Sequence, residues 1–427
     1  MAQIDPTVVE QVSEVARGAR VASRRLALLS GAAKDEALFA IADALDAATA
    51  SVVEANAQDL QRGRDRGMPE GLLDRLLLDE RRVGEIAQAV RDIAGLPDPV
   101  GEVVRGATLA NGLEIRQVRV PMGVIGMIYE ARPNVTVDAA ALALKSGNAV
   151  ILRGGSAATS SNHAFVEVMR GALADQGLDP AAVQLLEQGG HDAARALMTA
   201  RGLVDLVIPR GGADLIQTVV RESTVPVIET GIGVNHVYVD AAADLDRALP
   251  IVLNSKTHRP SVCNAAESLL VHADVAEAFL PKVLAELGSA GVTLHVAAEV
   301  EPYAQAAGAA YSLASDADFG TEWNALEMSV RIVPDLDTAL DHIRENGTQH
   351  TEVIVTENRA AARRFTAEVD AAVVMVNASS RFTDGGQFGF GAEIGISTQK
   401  LHARGPMALP ELTTTKWVVE GDGQIRA

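Results

Sequence analysis

Residues 123–155 read GVIGMIYEARPNVTVDAAALALKSGNAVILRGG. The run at 123–130 is typical of a buried strand, 135–147 has apolar residues at helical spacing, and 148–155 is a second apolar strand. Strand, helix and strand at this spacing predict a right-handed βαβ unit with parallel strands. Because both strands are apolar almost throughout, the sheet should be covered on both faces. The stretch therefore predicts an α/β fold.

The same alternation continues towards the C-terminus and predicts two parallel-sheet lobes. Helices are expected at 191–202 and 213–223 in the first lobe. Further strands are expected at 182–188, 204–212 and 225–231 in the first lobe, and at 268–273, 292–297, 329–334, 351–357 and 371–377 in the second. The helices expected between the second set are 275–288, 336–346 and 358–370. Clefts between such lobes are common places for ligands.

Two other segments differ from this alternation. Residues 7–95 have helical periodicity, whereas 101–121 contains two β-rich runs around Asn111-Gly112, a strong hairpin signal. We expect this hairpin and the tail at 410–420 to pair across subunits, since exposed strand edges are normally covered. The predicted domains are 1–100 with 122–235 for dinucleotide binding, 236–405 for catalysis, and 101–121 with 406–427 for oligomerisation.

Composition excludes several classes of function. The net charge of −19 and the aromatic content of 3% oppose general binding to nucleic acid or to an anionic membrane. No apolar run approaches the length of a membrane span, and the first residues resemble no signal peptide. The single cysteine excludes a disulfide framework, and the histidines are not clustered, so no metal is expected. These features predict a cytoplasmic protein.

The only cysteine, Cys263, lies in THRPSVCNAAES at 257–268. A lone cysteine is most often a small buried hydrophobic residue. The alternative is a thiolate nucleophile, which requires a partly open and electropositive site. Lys256, His258 and Arg259 precede it and would lower the pKa of the thiol if they contact it.

Polar residues follow several of the predicted strands. Arg153 and Arg210 each precede a Gly-Gly pair at the start of a helix, which suits an anion such as a pyrophosphate, although such turns are also common for steric reasons. Glu130, Glu229 and Asn377 also end strands. Ligands of open α/β sheets bind at the carboxyl ends of the strands, whereas each polar residue alone is more often a turn or cap.

Several stretches together resemble the aldehyde dehydrogenase superfamily, and within it the enzymes that reduce L-glutamyl 5-phosphate. They are MIYEARPNVT, LKSGNAVILRGG, IPRGG, ETGIGVNHVYVD, RPSVCNAAE and NASSRFTDGGQFGFGAEIGIST, which occur in this order over most of the chain. The resemblance implies an aldehyde dehydrogenase-like α/β fold with a cofactor lobe, a catalytic lobe and a projecting oligomerisation hairpin.

The resemblance also implies roles for individual residues. Cys263 would be the nucleophile, and Asn134 would form an oxyanion hole with the Cys263 backbone N–H. Glu229 stands at the position of the superfamily's general base, although ETGIGV replaces the usual Glu-Leu-Gly-Gly there. The implied cofactor-binding residues are Arg153, Gly154, Gly155, Ser156, Arg210, Gly211, Gly212 and Glu322, with IPRGG replacing the usual Gly-Ser turn. The candidates for binding substrate anions are Arg259, Asn377 and Arg381, each of which is otherwise explained by a turn or a surface ion pair.

The activity that the resemblance implies is NADPH-dependent reduction of L-glutamyl 5-phosphate to L-glutamate 5-semialdehyde and phosphate, the second step of proline biosynthesis, through a cysteine thioester. The resemblance also implies that the chain forms a homodimer or homotetramer and receives its substrate from the glutamate kinase that makes it. Two alternatives are another thiol-dependent dehydrogenase, hydrolytic or CoA-acylating, and a non-enzymatic dinucleotide-binding regulator with a structural cysteine. Rapid labelling of Cys263 by iodoacetamide would argue against the regulator.

Overall fold

The structure, a computed structural model, describes residues 4–130 and 132–426. Residues 1–3, 131 and 427 belong to predicted domain ranges but lie outside the described residues. The chain forms two compact units. The first unit runs to Thr230 and includes Phe390–Gly395 and the chain from Met407, and the second comprises Gly231–Gly389 and Ile396–Pro406. The division between the units falls after residue 230, and the hairpin and the tail belong to the first unit.

The first unit begins with helices and continues with alternating strands and helices, as predicted. Its helices are α1 (Pro6–Leu26), α2 (Gly31–Ala47), α3 (Thr49–Asp65), α4 (Glu70–Leu76), α5 (Glu80–Ala94), α6 (Pro133–Lys145), α7 (Thr159–Asp175), α8 (Gly190–Thr199) and α9 (Ala213–Glu222). Its strands up to α9 are β1 (Val103–Thr108), β2 (Glu114–Pro121), β3 (Val124–Tyr129), β4 (Ala149–Gly154), β5 (Val183–Leu185) and β6 (Leu206–Arg210).

One of the two sheets of the first unit is parallel, in the order β5-β4-β3-β6. All six residues of β3 are buried, because helices cover both of its faces. The chain passes from β3 to β4 on one side and later returns to place β6 on the other side of β3. Loops therefore diverge between the carboxyl ends of β3 and β6, which is where open α/β sheets bind ligands.

The strand predicted at 225–231 is wrong, because only an isolated bridge between Val207 and Val227 forms there. The Val207 N–H donates to the Pro226 carbonyl, and the Ile228 N–H donates to the Val207 carbonyl. A longer parallel ladder would next need an N–H from residue 209, which is a proline and has none. The Thr230 hydroxyl instead donates to the Pro209 carbonyl over 3.2 Å.

The predicted hairpin forms, and the tail adds a third strand to it within the same chain. Gly112 has φ +83° in the turn between β1 and β2, a backbone conformation that glycine adopts without steric cost. The tail strand β16 (Thr413–Glu420) pairs antiparallel with β2 over its full length. Just before this strand, the Asn148 amide donates to the Leu412 carbonyl at 2.9 Å, beside the end of β2. β1 and β16 are the outer strands of this sheet, each with one edge unpaired within the sheet, and pairing across subunits stays a prediction.

The second unit is a second α/β lobe. Its elements are β7 (Asn235–Val239), α10 (Leu245–Thr257), β8 (Ala266–His272), α11 (Ala273–Ser289), β9 (Thr293–Val296), α12 (Glu301–Ala307), β10 (Tyr311–Leu313), β11 (Glu327–Val333), α13 (Leu336–Asn346), β12 (Thr351–Val355), α14 (Arg359–Glu368), β13 (Val373–Val376), β14 (Ile396–Ser397) and β15 (Gly405–Pro406). Seven strands form one parallel sheet in the order β10-β9-β11-β8-β7-β12-β13. Its buried core consists mainly of Val, Leu and Ala side chains from the strands and from α11.

A buried cluster of polar and aromatic side chains lies on the other face of this sheet. His236 Nδ1 and Glu352 Oε2 share a hydrogen bond of 3.0 Å. The His236 ring packs edge-on against His342, which in turn packs edge-on against Phe319. Burial lowers the pKa of His342 to about 3, with further lowering from His236 and Arg331. The folded protein therefore holds His342 neutral.

Acid should destabilise the second unit through this histidine. Because His342 has a lower pKa in the folded chain than in the unfolded one, its neutral form contributes stability above about pH 6.5, which is lost as the pH falls towards 3. We expect about 2 kcal/mol of unfolding free energy to be lost at pH 5 relative to pH 7.5 through this group. His342→Phe should reduce the loss, measured by urea unfolding at both pH values. An unchanged loss would show that another group is responsible.

Candidate active site

Cys263 lies in the turn between α10 and β8 and is half-buried. The Asp244 side chain caps the start of α10, and the helix ends at Thr257, shortly before Pro260. The buried Asn235 amide then donates to the Cys263 carbonyl at 2.8 Å and to the Ala265 carbonyl at 2.7 Å. The backbone of the turn is therefore fixed, while the thiol is only partly covered.

Gly233 packs directly against this turn. A Cβ atom at residue 233 would lie 1.6 Å from the Cys263 carbonyl oxygen, so no other residue fits there without moving the backbone. Gly231 has a similar constraint, since its Cβ would lie 2.3 Å from the Thr398 side chain. The two glycines of ETGIGV are therefore explained by close packing beside the cysteine.

Glu322 joins the same arrangement. Its Oε1 accepts a hydrogen bond from the Gly233 N–H at 2.7 Å, and its Oε2 accepts one from the Asn324 amide at 3.0 Å. Gly233 thus contacts both Cys263 and Glu322. The structure brings together these two residues, which the sequence places 59 positions apart.

The buried Lys256 does not act on the thiol in the way that sequence adjacency suggested. Its ammonium forms an ion pair with Glu267, and both side chains are almost completely buried. Burial lowers the pKa of Lys256, and burial raises the pKa of Glu267 to about 7. The charge of Lys256 is therefore directed mainly at a carboxylate.

Arg381 reaches the cysteine turn from the other end of the chain. Its Nε donates to His258 Nδ1 at 3.4 Å. Burial lowers the pKa of its guanidinium, and the exposed Arg259 lowers it further. The negative charges of Asp384 and Cys263 act in the opposite direction and raise this pKa. Its Nη1 is buried and has no hydrogen-bond acceptor among the described residues. This nitrogen is a ready donor for an anionic group of a substrate.

Asn377 is not at this site. Its amide donates to the Thr356 carbonyl and accepts from the Thr356 N–H, both over 2.9 Å, at the carboxyl end of β12. Cys263 is instead held through Asn235 and Thr351 at the amino end of that strand. Four residues of a strand separate the two ends by about 13 Å. Asn377, with φ +55°, therefore joins the carboxyl ends of β12 and β13, and its role in binding substrate stays a prediction.

Asn134 and Glu229 lie in the first unit. Asn134 is exposed in the first turn of α6 and donates its amide to Asp138 at 2.9 Å. Burial raises the pKa of Asp138 to about 6, partly opposed by this bond and by Arg210. Glu229 is half-buried and follows the short bridge to β6. The oxyanion role of Asn134 and the base role of Glu229 remain predictions.

The first Gly-Gly turn surrounds a small surface pocket. A Cβ at Gly154 would lie 2.2 Å from the Asn162 amide, so the glycine is needed for packing. Arg153 donates to the carbonyls of Gly154 and Gly190, and burial lowers its pKa. Gly155 and Ser156 continue into the short turn that precedes α7, and the pocket also includes Thr159, Leu185, Leu186 and Glu187.

The second Gly-Gly turn already contacts a carboxylate. The Gly212 N–H, at the start of α9, donates to Glu130 Oε2 at 2.9 Å. A Cβ at Gly211 would lie 2.7 Å from the same carboxylate. Glu130 ends β3 and Arg210 ends β6, so this contact lies where the order of the strands reverses. A pyrophosphate on the Gly212 N–H would have to replace Glu130.

Comparison with known proteins is consistent with this arrangement. A model of the Aldehyde dehydrogenase family matches residues 1–309. The gamma-glutamyl phosphate reductase of Thermobifida fusca (strain YX) is 60% identical over 419 residues, 98% of this chain and 99% of that protein. The chain belongs to the aldehyde dehydrogenase family, in its gamma-glutamyl phosphate reductase branch. The predicted family, fold class and oxidoreductase activity are thereby confirmed.

Other members of the aldehyde dehydrogenase family extend the comparison. The crystal structure of gamma-glutamyl phosphate reductase from Thermotoga maritima has a TM-score of 0.95 and 45% identity, covering 97% of this chain and 100% of that one. An acetylating aldehyde dehydrogenase from Geobacillus thermoglucosidasius has a TM-score of 0.71 at 18% identity over 100% of both chains. The second likeness shows that the fold extends well beyond similar sequences.

Three features of the site were not predicted from the sequence. They are the hydrogen bonds from Asn235 to the cysteine turn, the Lys256–Glu267 ion pair and the hydrogen bond from the Gly212 N–H to Glu130. The available signal was a lysine seven residues before the only cysteine and a glutamate four residues after it. The described residues contain no group of three or more His, Cys, Asp or Glu side chains suited to a metal. None of the helices within 4–130 and 132–426 has the length and apolar character to cross a membrane.

Proposed function

We propose that this protein reduces L-glutamyl 5-phosphate to L-glutamate 5-semialdehyde, with Cys263 as a covalent nucleophile and NADPH as reductant. The observation that carries the proposal is the half-buried Cys263 in a clamped turn beside Arg381, whose buried Nη1 has no acceptor among the described residues. A partly covered thiol next to an unpaired cationic donor suits attack on an anionic acyl compound.

The first chemical step follows from this geometry. The Cys263 sulfur bonds to the acyl carbon, the bond from that carbon to the phosphate oxygen breaks, and the thiol proton leaves with the phosphate. Arg381 and Arg259 hold the carboxylate and the phosphate of the substrate, and Asn134 together with the Cys263 N–H stabilises the negative acyl oxygen. The product of this step is a thioester on Cys263.

The second step reduces the thioester. NADPH, when bound, supplies the hydride that adds to the thioester carbon. The carbon–sulfur bond then breaks, the aldehyde leaves, and the Cys263 thiolate takes a proton from solvent, which restores the thiol for the next cycle. No water takes part, so this reaction does not require Glu229 as a base. Glu322 would hold the nicotinamide ribose, and Arg153 with the turn at 154–156 would hold the adenosine end.

Dependence on inorganic phosphate tests the reaction class. In reverse, the protein should oxidise glutamate 5-semialdehyde with NADP⁺ only when phosphate is present, because the thioester must be released by the leaving group of the forward reaction. Without phosphate we expect one NADPH per Cys263 and little afterwards, measured by absorbance at 340 nm. Arsenate should replace phosphate. Sustained turnover without either anion would mean that water is the acceptor and would contradict the proposal.

Arg153 should determine the choice of cofactor. Its guanidinium lies at the end of β4 and is only partly engaged by two carbonyls, so it is available for the 2′-phosphate of NADPH. Arg153→Ala should raise the KM for NADPH by about tenfold or more, with less effect on the KM for NADH. Equal changes for the two cofactors would assign Arg153 to the fold alone.

The proposal extends to organisation. The first unit binds the dinucleotide, the second carries the nucleophile, and the sheet of β1, β2 and β16 assembles a homodimer or homotetramer. Support comes from the two outer strands of that sheet and from exposed Val103, Val104, Trp417 and Val419. The substrate arrives from the glutamate kinase that makes it.

A further inference from the structure

The buried ion pair of Lys256 and Glu267 encloses the cysteine turn. Lys256 is in the last turn of α10, and Glu267 is the second residue of β8, so Cys263 lies between them in the chain. The exposed fractions of the two side chains are 0% and 1%. The reaction described above uses neither group.

The pair is connected to Glu322 by a short series of contacts. Glu267 Oε1 accepts from the Asn324 N–H at 3.5 Å, and the Asn324 amide donates to Glu322 Oε2 at 3.0 Å. Glu322 in turn accepts from the Gly233 N–H, and Gly233 packs on the Cys263 carbonyl. The contacts form a closed ring from Cys263 through Gly233, Glu322 and Asn324 to the ion pair.

Stability does not explain why charged groups close this ring. Burial raises the pKa of Glu267 and lowers the pKa of Lys256, so the folded environment disfavours the charged form of each. Apolar residues of similar volume often replace a buried ion pair with no loss of stability. An apolar pair would provide neither an acceptor for the Asn324 N–H nor a positive charge close to Glu322. Glu322 is close enough to Lys256 to raise the pKa of the lysine.

We propose that Lys256 and Glu267 are positioning residues that hold the Glu322 segment in register with the Cys263 turn, so that the carboxylate that binds the cofactor and the nucleophile keep one geometry. The inference rests on the proposed function, because it takes Glu322 as the group that contacts the nicotinamide ribose. Its consequence is specific: the ion pair serves cofactor binding and hydride transfer more than the reactivity of the thiol.

The test replaces the pair with apolar side chains of similar length, Lys256→Met/Glu267→Met. Three quantities are measured in the full chain: the dissociation constant of NADPH by fluorescence titration, the rate of the NADP⁺-reduction burst without phosphate, and the rate of Cys263 alkylation by iodoacetamide. We expect the dissociation constant to rise about tenfold, the burst to slow by about 10–100-fold, and alkylation to change less than about threefold. The melting temperature should not fall.

The matched control is the lysine–aspartate pair Lys34 and Asp98 in the first unit, where the lysine side chain is 2% exposed. Lys34→Met/Asp98→Asn should leave NADPH affinity and the burst unchanged. If the double variant of the proposed pair does not fold, Asn324→Gly tests the connection between the pair and Glu322 instead. Glycine retains the backbone φ of +53° and removes only the side-chain amide that holds Glu322. It should shift the same two quantities in the same direction.

Two results would overturn the inference. NADPH affinity and burst rate within about twofold of wild type would make the pair purely structural. Alkylation slowed as much as the burst would mean that the pair acts on the thiol. Failure of the proposed function itself is distinguishable, since it is read on the wild-type protein alone as absence of NADPH binding or of phosphate dependence.

Discussion

Replacing Cys263 with alanine should abolish the reduction of glutamyl 5-phosphate and its reverse, with a loss of about 10⁴-fold or more. The sulfur is the only thiol in the chain, so no other cysteine can form the thioester. The turn itself should survive, because Asn235 binds the backbone carbonyl of residue 263 and not its side chain. The measurement is NADPH formation from glutamate 5-semialdehyde, NADP⁺ and phosphate.

The control for this variant is its fold and its cofactor. Cys263→Ala should have the melting temperature of the wild type within a few degrees and should still bind NADPH. Cys263→Ser should be nearly as inactive, because a hydroxyl is a much weaker nucleophile than a thiolate at neutral pH. Substantial turnover by either variant would exclude a covalent cysteine mechanism.

Gly233→Ala should be the most damaging substitution outside the reacting atoms. The added methyl would lie 1.6 Å from the Cys263 carbonyl oxygen, so one of the two backbones must move by more than an ångström. Such overpacking in a buried position should cost about 3 kcal/mol or more of unfolding free energy. Because Gly233 also binds Glu322, kcat should fall by at least about 10²-fold even in protein that remains folded.

Urea unfolding and steady-state kinetics measure the two effects of Gly233→Ala. The matched control is Gly84→Ala in α5, where an added Cβ would meet none of the described atoms within 4 Å apart from the neighbouring backbone of its own helix. That change should leave activity intact and stabilise the helix by about 0.5–1 kcal/mol. A Gly233→Ala enzyme with normal kcat would show that the packing on Cys263 is not required for catalysis.

The periodicity of the sequence was sufficient for most of the fold. The stretch at 123–155 gives β3, α6 and β4, and the hairpin at 101–121 gives β1 and β2. These elements follow from local patterns, because an apolar strand and an amphipathic helix are each encoded by neighbouring residues. The wrong strand at 225–231 failed for a non-local reason, since Pro209 in the adjacent strand has no N–H to extend the ladder.

For the candidate site, too, local patterns in the sequence predicted some features, while contacts between distant residues decided others. The lone Cys263 and the motifs around it were recognisable as chemistry and as a family resemblance. The contacts of Asn377 could not be predicted, because a residue at the end of a strand looks the same in sequence whichever neighbours it meets. Only the register of β12 and β13 shows that Asn377 lies beside Thr356 at the carboxyl edge.

The sequence by itself determined the alternation of strands and helices, the single thiol and the glycines that flank strand ends. Tertiary structure decided which of these residues meet. Lys256 precedes the cysteine closely in the chain, yet its charge pairs with Glu267, while Arg381, more than a hundred residues away, donates to His258 beside the cysteine turn. The reason is that buried charges and packed backbones are satisfied by neighbours in space, and parallel strands bring distant segments of the chain to one edge of a sheet.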